Sequence, residues 1–140
     1  MENLISTLIK QHRSLQQDVT NVLDLCNSAD TTNFTKIDQG IKKFTKNLVE
    51  HLELENDTFY VGLLEKMKQA GQDTAKTEQF IAEMKDIEKV VQGFLDKYKD
   101  ADSIKNGFVD FKDEFTNIKE VLVLRIESEE SGVYSYWVLF

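Results

Sequence analysis

Apolar residues recur along this chain at alternating steps of three and four, the spacing of one helix face turned into a bundle. Four stretches carry such a seam. The first runs through Ile5, Leu8, His12, Leu15, Val19, Val22 and Cys26. The second runs through Ile37, Ile41, Phe44, Leu48, His51, Glu55, Thr58 and Gly62. The third takes Phe80, Met84, Ile87, Val91, Phe94 and Tyr98, and the fourth Ile104, Phe108, Phe111, Phe115, Ile118, Leu122, Arg125 and Glu129. Three polar breaks separate them. Residues 27–33 offer Ser28, Asp30 and Thr31 as N-caps, residues 70–74 offer Gly71 as a stop, and residues 99–103 form the last connection. Connections this short set neighbouring helices antiparallel. The expected fold is all-α: one up-down-up-down four-helix bundle over residues 1–140, with the second helix bending near Gly62. The aromatic tail 133–140 reads as a last helical turn and a strap on the bundle end, or as a contact for a homodimer or a protein partner.

Composition sharpens this picture. The 140 residues contain no proline and only 6 glycines, where about 7 prolines would be usual; long helices are the natural consequence. A net charge of -8 excludes a nucleic-acid surface. No apolar run reaches the roughly 18 residues of a membrane span, and the start lacks the basic and apolar regions of a signal peptide. The single cysteine, Cys26, excludes an internal disulfide and fits a reducing, cytoplasmic location. On the apolar seam it reads as a buried small residue, as Met84 reads as core filler. No nucleophile stands beside a histidine and no glycine-rich phosphate loop is present, so the chain is not expected to be an enzyme.

The seams carry five polar exceptions: His12, His51, Glu55, Arg125 and Glu129. Charges and imidazoles are rarely buried unless paired or metal-bound. His51 and Glu55 are four residues apart, about 40° round a helix, and so are Arg125 and Glu129. In an antiparallel bundle all five lie near one end. The chain also repeats itself. His51–Tyr60 can be laid on Arg125–Tyr134, which pairs Glu53 with Glu127, Glu55 with Glu129 and Tyr60 with Tyr134. Leu8–Leu15 can be laid on Phe80–Ile87, which sets Met84 opposite His12.

With His12 in Lys-Gln-His-Arg-Ser-Leu, His51 and Glu55 in Glu-His-Leu-Glu-Leu-Glu-Asn-Asp-Thr-Phe-Tyr, and a final Arg-Ile-Glu-Ser-Glu-Glu, the sequence resembles the hemerythrin-like (HHE cation-binding) family along nearly its whole length. The resemblance implies a bundle holding non-haem iron, typically two ions with five histidines and two bridging carboxylates. Carried over, His12 and His51 match the ligands of one iron, and Glu55 and Glu129 match the bridges, with Glu130 the alternative to Glu129. The other iron's histidine positions hold Phe80, Met84 and Arg125. About half of the diiron ligand set is therefore implied, without oxygen carriage. Three readings follow. A degenerate site binds one iron or zinc ion through His12, His51, Glu55 and Glu129. Alternatively the bundle is metal-free: Arg125 bridges Glu55 and Glu129 in the cation's place, and the domain acts as a regulatory or protein-interaction module. A third reading, two metals, needs Glu78 or Glu83 turned inward.

Overall fold

The computed structural model describes residues 3–28 and 33–140. Helix α1 (Leu4–Cys26) starts at Asn3, whose side chain accepts from the Ser6 N–H. Helix α2 (Phe34–Leu54) runs without a break through a π-helical turn, Glu55–Phe59, into α3 (Tyr60–Gln69). Helix α4 (Ala75–Lys97) is third, and a short α5 (Ala101–Asn106) leads to α6 (Phe108–Ser128). A second π-helical turn, Glu129–Val133, joins α6 to α7 (Tyr134–Leu139). Four rods result, α1, α2–α3, α4 and α6–α7, with no strand among the described residues. None of their helices is long and apolar enough to cross a membrane. This is the all-α, up-down-up-down bundle that the seams predict.

The differences are local and each has a cause. The cap of α2 is Asn33, which accepts from Lys36 N–H, not Ser28; Asp30 and Thr31 lie outside the described residues. The second connection stops as expected at Gly71, whose φ of +71° is a left-handed value natural to glycine. The third connection is itself helical. Asp100 caps Ser103 N–H at 2.8 Å, so Ile104 belongs to α5 and the fourth rod begins at Phe108.

The bend expected at Gly62 is replaced by the π turn one helical turn earlier. A π turn holds an extra residue, so the inward face slips by one. Phe59 and Leu63 are buried where Thr58 and Gly62 were expected. Gly62 has another use: a Cβ there would come within 2.8 Å of the Trp137 ring. Its hydrogen lets α7 lie directly on α3, so the tail is helix throughout rather than a strap.

The apolar interior falls into two clusters. One holds Val22, Ile41, Phe44, Phe111 and Phe115; the other holds Leu8, Phe59, Leu63, Met84 and Trp137. The polar seam residues form the layer between them.

Candidate metal centre

Four side chains from three rods meet in that layer. His12 comes from α1, His51 from the end of α2, and Glu55 and Glu129 from the π turns that follow α2 and α6. Their exposures are 1%, 3%, 0% and 1%. Each offers one donor atom, and these atoms lie within 4.8 Å of one another. His12 Nε2 stands 3.3 Å from Glu129 Oε1, and His51 Nε2 stands 3.2 Å from Glu55 Oε2. Both glutamates are the first residue of a π turn, and such turns gather at functional sites.

The outer nitrogens of the rings are held. His12 Nδ1 donates to Glu130 Oε2 at 2.8 Å, and Glu130 is also paired with Arg13. His51 Nδ1 donates to Gln11 Oε1 at 2.8 Å. A hydrogen on Nδ1 leaves Nε2 with its lone pair turned inward in a neutral ring. Metal-ligating histidines are oriented in this way by a carboxylate or carbonyl partner. Burial lowers the His12 pKa below its usual value despite the pull of Glu130, which keeps that ring in its ligating form at neutral pH.

Inside the layer, hydrogens are few. Two tyrosines supply them: Tyr60 donates to Glu129 Oε2 at 2.7 Å, and Tyr134 donates to Glu55 Oε2 at 2.8 Å. The half of the chain that carries one glutamate thus supplies the tyrosine for the other. Burial alone would raise the Glu55 pKa. Interactions with His51, with the Glu129 carboxyl and with Tyr134 outweigh burial and hold it at about 2. Burial and the adjacent Glu55 charge push Glu129 well above the usual carboxylate range. Two carboxylates this close share one proton, here on Glu129. Even so, Glu55 Oε1 is buried without a hydrogen-bond partner.

Such a set fits one cation. Two imidazole lone pairs and two carboxylates converge, an acceptor is unsatisfied, and a divalent ion would neutralise the two carboxylate charges. Nitrogen and oxygen donors of this kind suit iron, zinc or manganese. Among the described residues a second ion has no comparable set. Phe80 and Met84 bring no strong donors, and Glu78 and Glu83 are exposed rather than turned inward.

Arg125 does not do what its seam position suggests. Among the described residues it makes no ion pair with Glu55 or Glu129. Its guanidinium lies over the Phe80 ring, 4.0 Å from the centroid, and donates to the Phe80 carbonyl at 3.0 Å. The expected bridge in place of a cation is absent, because the long side chain reaches α4 and stacks there. Glu129 is the inward carboxylate, whereas Glu130 sits at the rim behind His12.

Sequence reasoning gave no role to Gln11, Tyr60, Tyr134 or, beyond ligand substitute, Glu130. The tyrosines could have been found, since the internal repeat pairs them; the π turns that swing them inward leave no periodic trace.

No curated protein and no solved structure matches the chain. The family described as Hemerythrin HHE cation binding domain matches residues 3–137. Those residues include every member of the layer and both π turns. By that match, over nearly its full length, the chain belongs to the hemerythrin HHE cation-binding domain family.

Proposed function

We propose that this domain binds one metal ion, iron or zinc, through His12, His51, Glu55 and Glu129, and that it senses or handles metal rather than carrying oxygen or catalysing a reaction. The observation that carries the reading is the convergence of four buried donor atoms within 4.8 Å, each histidine already oriented from behind. Phe80, Met84 and Arg125 at the remaining ligand positions favour one ion over two. The buried free Cys26 and the net charge of -8 favour a reducing, cytoplasmic setting without a nucleic-acid partner.

Elemental analysis tests this on protein purified without oxygen or chelators. The expected result is about one iron or zinc ion per chain, lost in His51→Ala. Near-zero metal, even after reconstitution with ferrous iron, would overturn it.

A second reading, a metal-free regulatory or protein-interaction module, draws on the exposed Tyr136, Val138 and Leu139 of α7. A homodimer or a protein partner would cover them. It predicts self-association or partner binding that Leu139→Glu abolishes and that does not depend on His51.

A further inference from the structure

Donor atoms that are neighbours around one cation at about 2.1 Å lie about 3.0–3.4 Å from one another. His12 Nε2 with Glu129 Oε1, at 3.3 Å, and His51 Nε2 with Glu55 Oε2, at 3.2 Å, meet this condition. So, nearly, does a fifth atom that no ligand pattern in the sequence predicts. The Tyr134 phenol oxygen lies 3.1 Å from His12 Nε2 and 2.8 Å from Glu55 Oε2. It thereby touches donors from two different rods. Its ring is buried, stacked on His12 at 5.4 Å and wedged edge-on against Phe59 at 5.0 Å, so the oxygen has little freedom to leave. Tyr60 differs: its oxygen reaches Glu129 Oε2 alone, as a donor to the back of one carboxylate.

The hydrogen bonds of Tyr134 are also over-subscribed. One O–H faces both the Glu55 carboxylate and the inward lone pair of His12, and it can satisfy only one of them well.

We infer that Tyr134 is a fifth ligand of this centre, giving its phenolate oxygen to a ferric ion. The inference rests on the single-ion reading above. Two carboxylates leave a trivalent ion with one positive charge, which one phenolate removes. In that step the Tyr134 O–H bond breaks, an oxygen–cation bond forms, and the proton leaves to solvent.

The test is optical. The full chain is loaded with ferric citrate, freed of excess iron by gel filtration, and examined by absorption and resonance Raman spectroscopy beside an iron assay. Ferric phenolate gives a visible charge-transfer band with tyrosinate ring modes. Measured per bound iron, that band is expected in the wild type, lost in Tyr134→Phe and kept in Tyr60→Phe. Replacing tyrosine globally by 3-fluorotyrosine opens no cavity and should move the band to higher energy, which covers a Tyr134→Phe variant that folds poorly. Iron bound without the band, or a band that survives Tyr134→Phe, overturns the fifth ligand and leaves the metal site standing. A wild-type chain that takes up no ferric iron overturns the fifth ligand, and one that binds no zinc or ferrous iron either overturns the single-ion reading as well.

Discussion

Arg125 stands one turn before Glu129 on the same seam, yet its guanidinium lies on the Phe80 ring of α4. Its removal should therefore strand no carboxylate. Arg125→Met keeps the buried stem and loses one hydrogen bond and the ring contact, about 1–2 kcal/mol in all. A bridge between buried carboxylates would cost about 3–5 kcal/mol on removal. Urea unfolding separates the two, and metal content should not change. The partners behind the histidines matter in a different way. Glu130→Gln and Gln11→Leu should leave the fold intact and weaken zinc binding about 10–100-fold by titration, since each only orients a ligand ring. Cys26 lies in the apolar interior, and burial raises its thiol to about 11. At pH 8 it should resist iodoacetamide in the native chain and react once unfolded; ready alkylation of folded protein would contradict this packing.

Within the elements, the π turns decide more than their five residues suggest. Each places a glutamate at its start and a tyrosine just after its end, and the extra residue rotates the tyrosine inward. If the same residues were wound as an ordinary helix, Phe59 and Tyr60 would point about 100° away from their present direction. Deleting the exposed Asp57 removes the extra residue, so it should restore an ordinary helix that still turns Phe59 and Tyr60 inward, with far-UV helicity kept and the melting temperature little changed. Gly62 serves the contact of α3 with α7. Gly62→Ala forces its methyl against Trp137, 2.8 Å away, and should cost about 1–3 kcal/mol, roughly 3 °C of melting temperature per kcal/mol. Trp137→Leu in the same chain should return part of that loss, because it removes the atoms being struck.

For the whole molecule, the polar layer links stability to pH and to metal. Glu129 holds its proton more tightly folded than unfolded. The stability this confers is complete below the ordinary value of 4.5 and is lost as pH rises through the raised folded value. Glu55 is depressed to about 2, so its contribution is present above 4.5 and lost as pH falls towards 2. The metal-free protein should therefore weaken on both sides, in acid through Glu55 and towards alkaline pH through Glu129. A cation displaces the Glu129 proton, so zinc affinity should rise with pH and binding should release protons. Calorimetry in buffers of different ionisation heat measures that release; binding without it would mean that Glu129 is not a ligand.

The number of rods, their order and most of the interior followed from the sequence alone, because periodic burial is a local property written into residue spacing. So did the candidate set His12, His51, Glu55 and Glu129, since polar groups on an apolar seam need a common partner wherever the rods meet. The repeat even paired Tyr60 with Tyr134. Only the tertiary structure decided what those groups touch. The register slip at each π turn depends on packing between rods, and the seam continued through Thr58 and Gly62 as if no extra residue were there. The direction of Arg125 depends on an aromatic ring 45 residues away, and a side chain that long has several places to put its charge. The crossing of each tyrosine to the opposite glutamate belongs to the bundle, where four rods at one height first bring the two halves of the chain together.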